Sequence, residues 1–370
     1  MPIKRIKQRL EKIKEQKEWL AKLSVKVRQI REISDILVIT PKPIGMNWRG
    51  VTNATKSLFG ASVLEIPHYY SNAVLTKEQN LELLKLIIEL QFNQFIASGI
   101  HLYFLELLSE FKVQTGKITG AIFHGALTEL HEDNQRVIAF SRLIHLANEG
   151  KIDKIGFVKK GLAETVSILT KAKCYSLNLR CTIPSDSRKE KKASGVIKIA
   201  IPGSIGFNKN LNNQVAAALM VENSEVHVWG NSHNFDMWEL NQRIVNHSHA
   251  NHEEFLSTLA SCDIALYLSF SESWGQIVTE CLALGIPCLS SDNNAIFDES
   301  PELKNMLVVS FNDNPHLISN KIKELIPLKD TLSPILVEYS YRLDKIALER
   351  KAVFLMGNST SSHLLKKNLE

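Results

Sequence analysis

The run Ser271-Glu272-Ser273-Trp274-Gly275-Gln276-Ile277-Val278-Thr279-Glu280, continuing to Gly285-Ile286-Pro287, carries the residue types that a polyhydroxylated anion needs. Gly275 lets the backbone turn tightly into a helix. The first turn of that helix leaves free N–H groups and the positive end of its dipole, which suit a diphosphate. Glu280 lies about one turn inside the helix, where its carboxylate can reach a polyol beside the phosphates. Glu272 precedes the turn and can take a second set of hydroxyls. One carboxylate on sugar hydroxyls and one on ribose hydroxyls would suit a nucleotide-sugar.

These groups need strands that end where they begin. Ile264 to Leu268 reads as a buried strand that delivers Glu272 to its loop, and Ile286 to Ser290 as the strand after the helix. The same alternation runs through most of the chain. Strands are expected over Asp35–Pro41, Ala61–Pro67, Phe92–Ala97, Ile118–Phe123 and Lys154–Val158. Helices are expected over Leu81–Leu90, Leu102–Phe111, Asn134–Asn148 and Leu162–Thr170, with Gly45 to Gly50 as a loop. The polar stretch Thr182 to Gly195 has no periodicity and reads as a linker. The pattern then restarts: strands at Val196–Ile201, Glu225–Trp229 and Met306–Val309, helices at Leu211–Val221, Glu253–Ser261 and Pro315–Leu325. Alternation of this kind argues for α/β architecture, with mostly parallel sheets covered on both faces and ligands at the carboxyl ends of strands.

The Ser271 to Pro287 run resembles the signature of the retaining GT-B glycosyltransferases known as glycosyl transferases group 1. Glu272 and Glu280 have seven residues between them, Trp274-Gly275 replaces the usual Phe-Gly, and a small-residue helix leads to Gly285-x-Pro287. The resemblance implies two Rossmann-like doubly wound domains facing a cleft, a donor diphosphate on the helix start, Glu272 on the sugar and Glu280 on the ribose. Gly203 and Ser204 stand where that family has Gly-Arg, and Lys209 where it has its phosphate-gripping Lys. Ser204 departs from the pattern, so one phosphate cation is missing or comes from elsewhere; Arg49 is one candidate. His124, after an N-domain strand, resembles the family's histidine near the transferred sugar. The donor-binding set is therefore Gly203, Ser204, Lys209, Ser273, Trp274, Gly275, Gln276 and Glu280, with Glu272 and His124 as catalytic residues. Each has a plainer reading: Lys209 as a solvated lysine, His124 as a structural histidine, the glutamates as surface groups of a βαβ unit. Lys159-Lys160-Gly161 is an acceptor-facing turn or simply a solvated one. His247, His249 and His252 lack a carboxylate or cysteine at ligand spacing, which argues against a metal.

The chain has 370 residues, 44% hydrophobic and 22% charged, a size and balance that suit two globular domains. No stretch approaches the ~20 apolar residues that span a bilayer, and no signal-peptide core is present. The five cysteines, Cys174, Cys181, Cys262, Cys281 and Cys288, fit a reducing cytosol. Net charge is +5, yet residues 1–33 hold eleven Lys/Arg against four Glu, so the rest of the chain is slightly acidic. Ile3, Ile6, Leu10, Ile13, Leu20, Leu23, Val27 and Ile30 make that segment one amphipathic helix. It packs on the body or a partner as a coiled coil, lies on an anionic membrane with Trp19 as anchor, or forms a solvated arm. Basic residues without interleaved aromatics argue against nucleic acid.

The expected organisation is a basic helix at 1–33, an acceptor domain at 34–182, a linker at 183–195, a nucleotide-sugar domain at 196–340 and a C-terminal helix and tail at 341–370. The expected function is retaining, metal-independent transfer from a UDP- or GDP-linked sugar. The acceptor would be a hydroxyl on a carbohydrate, lipid-linked or protein molecule, as in bacterial surface polysaccharide or glycoconjugate assembly. No cofactor is expected, and the location is cytoplasmic or peripheral to the inner membrane face. The rival readings are a GT-B-like binding or scaffold subunit and a nucleotide-sugar epimerase.

Overall fold

The structure, a computed structural model, describes residues 2–43, 48–67, 75–131, 134–181, 183, 195–203, 206–229, 242–247 and 251–357. Most of the linker expected at 183–195 lies outside the described residues. The chain forms two compact units, Met1–Leu179 with Leu348–Glu370, and Arg180–Ala347.

The first unit is built on β1 (Ile36–Pro41), β2 (Val63–Ile66), β3 (Gln94–Ser98), β4 (Ile118–Phe123), β5 (Lys154–Phe157) and β6 (Lys173–Ser176). They form one parallel sheet in the order β2-β1-β3-β4-β5-β6. The central strands are almost wholly apolar, as strands buried on both faces must be. The helices are α1 (Pro2–Ile33), α2 (Arg49–Phe59), α3 (Lys77–Glu89), α4 (Leu102–Thr115), α5 (Asn134–Asn148) and α6 (Leu162–Ser167). Thr76 and Gln79 close a capping box that starts α3. Leu37, Ile39, Phe95 and Phe157 of the sheet share a core with Leu83, Leu108, Phe111 and Leu143 of the helices.

In this unit two features differ from the sequence reading. Gly50 is not in a loop: it lies in the first turn of α2, whose N-cap Trp48 takes a left-handed φ of 64°. Gly45 lies outside the described residues. The strand β6, Lys-Cys-Tyr-Ser, was not expected, because a short, half-exposed edge strand lacks an apolar run.

The last turns of α1 pack on the body. Leu23, Val27 and Ile30 are buried in the first unit's core, and Trp19 and Leu20 pack partly against it. Lys42 Nζ sits 3.7 Å from the Trp19 ring centroid, and Arg31 Nε donates to Leu90 O at 2.7 Å. Ile13, on the same apolar seam, is 41% exposed.

The second unit holds β7 (Ile197–Ile201), β8 (Ser224–Val228), β9 (Ile244–Asn246), β10 (Ile264–Tyr267), β11 (Cys288–Ser291) and β12 (Val308–Val309). All pair parallel, in the order β12-β11-β10-β7-β8-β9. The three-residue β9 was also not expected. Around the sheet run α7 (Leu211–Leu219), α8 (His252–Ala260), α9 (Gln276–Leu284), α10 (Pro301–Leu307), α11 (Pro315–Leu325) and α12 (Lys329–Met356). Gly285 ends α9 at φ 72°, where a Cβ would stand 2.3 Å from Ser333 Oγ, so α9 closes directly onto α12.

The chain returns to the first unit within α12, at Leu348. Lys154, 3% exposed, binds the end of that helix: its Nζ donates to Phe354 O at 2.9 Å, Leu355 O at 3.1 Å and Gln94 Oε1 at 2.6 Å. Phe354 O and Leu355 O accept where a helix end leaves carbonyls without partners. Burial pushes the Lys154 ammonium down to about 8.

Candidate active site

In the second unit β7 and β10 are neighbours, but β7 continues to β8 and β9 on one side and β10 to β11 and β12 on the other. The strand order reverses between them, the place where open α/β sheets bind ligands at the carboxyl ends of their strands. Lys209 follows β7 and Glu272 follows β10. The fold thus brings together two residues that are 63 positions apart in sequence.

Lys209 Nζ donates to Glu272 Oε2 at 2.6 Å, with the two side chains 19% and 12% exposed. Tyr267, the last residue of β10, donates its hydroxyl to the same Oε2 at 2.6 Å and accepts from Lys209 Nζ at 3.1 Å. Burial, reinforced by the Glu272 charge, pushes the Tyr267 phenol well above its ordinary range, so it stays a donor. Tyr267 did not emerge from the sequence, where it reads as the end of an apolar strand. The usable signal was its polar tip at a strand's carboxyl end.

The loop that carries Glu272 is held by amides. Asn210, in the left-handed region at φ 54°, donates to Leu268 O at 3.0 Å. Asn312 donates to Leu268 O at 3.2 Å, Ser269 O at 3.0 Å and Ser291 Oγ at 2.8 Å. Gln214 accepts from Leu268 N at 3.0 Å and donates to Lys209 O at 2.8 Å, tying the Lys209 turn to the Glu272 loop. Asparagine at φ > 0 is tolerated because its short side chain can bond locally.

Gly275 is the N-cap of α9 at φ 86°, and no side chain caps the helix. Val278 N turns back to Gly275 O at 3.0 Å, and the start of α9 carries the positive end of its dipole, which suits an anion. Ser273 N donates to Glu272 Oε1 at 3.2 Å, which orients the carboxylate from below. Trp274 is 2% exposed and packs as core; its Nε1 has no partner among the described residues. Gln276 opens α9. Glu280 lies 3.7 Å from His252 Nε2, at 15% exposure. Gly203 follows β7 with open space beside it. Ser204 lies outside the described residues, as does His249.

His247 and His252 belong to a run of rings. His252 stacks on Phe255, Phe255 meets Trp229 edge-on at 5.2 Å, Trp229 tilts against His247 at 5.1 Å, and His247 stacks on His227 at 5.2 Å. Burial holds His227 and His247 below the ordinary histidine range.

In the first unit β1 and β3 form a second reversal point. His124, just past β4, is half-buried there, and its Nε2 lies 2.8 Å from Ser98 Oγ at the end of β3. Desolvation pushes the imidazole down to about 4, so it is neutral at physiological pH. Arg49 is the first residue of α2, and Lys159-Lys160-Gly161 precedes α6 with Gly161 as N-cap at φ 75°.

Residues 182–342 match the family model described as Glycosyl transferases group 1. A search of curated protein sequences finds no significant match. Among solved structures, Anabaena HepE in complex with UDP matches with a TM-score of 0.65 at 10% identity, over 87% of this chain and 100% of that one. Sucrose-phosphate synthase from Thermosynechococcus elongatus matches at 0.60 and 13% identity, over 90% and 99%. The E. coli trehalose-6-phosphate structure bound with UDP-2-fluoro glucose matches at 0.58 and 10%, over 87% and 98%. The chain thus has the GT-B fold, and its residues 182–342 match the glycosyl transferases group 1 model.

Proposed function

We propose that the protein moves a sugar from a nucleoside diphosphate sugar to an acceptor hydroxyl with retention at the anomeric carbon. The observation that carries this is the Lys209–Tyr267–Glu272 cluster at the β7/β10 reversal, beside the uncapped start of α9. Lys209 and the α9 N–H groups take the diphosphate, Glu272 the sugar hydroxyls and Glu280 the ribose. The donor is UDP- or GDP-linked, as in the UDP complex of the structurally similar HepE. With serine at 204, Lys209 and the helix start carry the phosphate charge.

In the transfer the bond from the anomeric carbon to the diphosphate oxygen breaks as the bond to the acceptor oxygen forms on the same face. The acceptor proton passes to the departing diphosphate. The protein's share is positioning and stabilisation of the leaving charge, without a metal. The acceptor is a carbohydrate, lipid-linked or protein hydroxyl. The leading half of α1, basic in its sequence, serves an anionic membrane surface or a second copy. A screen of UDP- and GDP-sugars by thermal shift, followed by transfer assays, tests the reading. Glu272→Ala is expected to abolish transfer. Full activity in that variant would remove Glu272 from the site, and an inverted anomer by NMR would overturn retention. Binding of no nucleotide would favour a scaffold role.

A further inference from the structure

His124 is joined to α2 through two hydroxyls. Thr55 Oγ1 lies 2.7 Å from Val51 O and 2.6 Å from Ser98 Oγ, and Ser98 Oγ lies 2.8 Å from His124 Nε2. Thr55 and Ser98 are buried. The anchors around them are tight. Thr52 Oγ1 donates to Pro41 O at 2.7 Å, fixing α2 against the end of β1. At Gly99, φ 91°, a Cβ would meet Pro41, Trp48 and Val51 at 3.2 to 3.3 Å, so the turn after Ser98 is closed on the same wall.

These contacts can be wired by counting protons. There are three contacts: Val51 O with Thr55, Thr55 with Ser98, and Ser98 with His124. A neutral histidine brings one ring proton, and each hydroxyl brings one. The carbonyl has none, so Thr55 must give its proton to Val51 O. Ser98 must then give its proton to Thr55, and His124 Nε2 must carry the proton given to Ser98. The other tautomer would leave two oxygens, or an oxygen and a bare nitrogen, in contact with no proton between them. Among the described residues Nδ1 has no partner.

We propose that Thr55 and Ser98 are positioning residues that hold His124 as its Nε2–H tautomer, so that Nδ1 presents a lone pair to a hydroxyl of a bound substrate. The identity of that hydroxyl rests on the function proposed above; the wiring does not. An acceptor nitrogen selects for a neutral donor group, because a phosphate or carboxylate oxygen has no proton to give it. With its pKa held low, His124 accepts a hydrogen bond there and does not take the proton.

The test uses the full chain labelled with ¹⁵N-histidine, with the His124 resonances assigned by their loss in His124→Gln. The expected wild-type spectrum shows the proton on Nε2 and a bare Nδ1; a proton on Nδ1 would overturn the wiring. Ser98→Ala is expected to lower the Nε2–H to Nδ1–H ratio by about 2- to 10-fold, the worth of one neutral hydrogen bond, and Ser98→Thr to restore it. An unchanged ratio in Ser98→Ala refutes the positioning role. Thr55→Val provides the same comparison should Ser98→Ala not fold. Adding UDP-glucose is expected to shift Nδ1 beyond what UDP alone does. Equal shifts would remove the sugar hydroxyl, while binding of neither would count against the proposed function and leave the wiring judged on the free protein.

Discussion

Glu272→Gln is expected to tighten the binding of a bare nucleoside diphosphate while weakening the advantage of its sugar-bearing form. In the resting site Lys209 Nζ is bonded to Glu272 Oε2 at 2.6 Å. A diphosphate that takes Lys209 must draw it from that carboxylate. A hydrogen bond between charged groups contributes about 1.5–3 kcal/mol net, against about 0.5–1.5 for a neutral one. With exposures of 19% and 12%, screening places this pair towards the lower end. Replacing the carboxylate by an amide therefore releases about 1 kcal/mol on Lys209, or about 5-fold tighter UDP or GDP. A UDP-sugar gains the same release but loses the carboxylate's bond to its hydroxyls, which offsets it. The ratio of UDP to UDP-glucose dissociation constants should fall about 5-fold or more in the variant. Lys209→Met should weaken both ligands by about 10-fold, since it removes the cation itself. Calorimetric titrations with UDP, GDP and UDP-glucose read all three. A Glu272→Gln variant that weakens UDP and UDP-glucose by the same factor would refute the reasoning, because Glu272 would not be restraining the lysine that meets the phosphate.

Two further outcomes follow from the scaffold. The Lys154 ammonium titrates at about 8 in the folded chain against an ordinary 10.5. The unfolded chain therefore holds more protons between those values, and stability rises with pH across that window, by up to about 3 kcal/mol. Thermal unfolding from pH 7 to 10 should show this rise in the wild type relative to Lys154→Met; parallel curves would mean that the buried charge costs nothing. Removing residues 1–17 should leave UDP affinity unchanged, since among the described residues of α1 packing against the core begins at Trp19. The same truncation should abolish pelleting with anionic vesicles or self-association in sedimentation. A UDP affinity loss above about 3-fold would place the helix's leading half in the catalytic body.

Much of the second unit was legible because each polar group of its site follows an apolar strand. Glu272 comes after Ile264-Ala-Leu-Tyr267, and Lys209 after Ile197-Lys-Ile-Ala-Ile201. A break from apolar run to polar loop is a local signal, and so is a glycine at a helix start. Tyr267 was hidden because an aromatic at a strand end reads as core, and its hydroxyl gains meaning only when Glu272 folds back five residues. Asn210, Asn312 and Gln214 were hidden for a related reason. Asparagine in a loop reads as a turn former, and nothing local shows that these amides converge on Leu268 and Ser269.

The first unit yielded less, and His124 shows why. The sequence singles it out as a histidine after a strand, a pattern that fits a site and a structural residue equally. What decides its chemistry is Ser98, 26 residues before it, and Thr55, 43 residues before that. Both read as ordinary polar residues, one closing a strand and one inside a stretch with a glycine on its doorstep. They meet because parallel strands place their carboxyl ends side by side, and β3 lies between β1 and β4. Thr55 also bonds its own i−4 carbonyl, as helical threonines commonly do. That local habit, of no consequence in most helices, here orders the protons of the whole chain of hydroxyls. It forces the serine's proton away from the imidazole and leaves the ring's far nitrogen bare, so the i−4 bond of one helical threonine sets the hydrogen-bonding polarity of a histidine that follows a different strand.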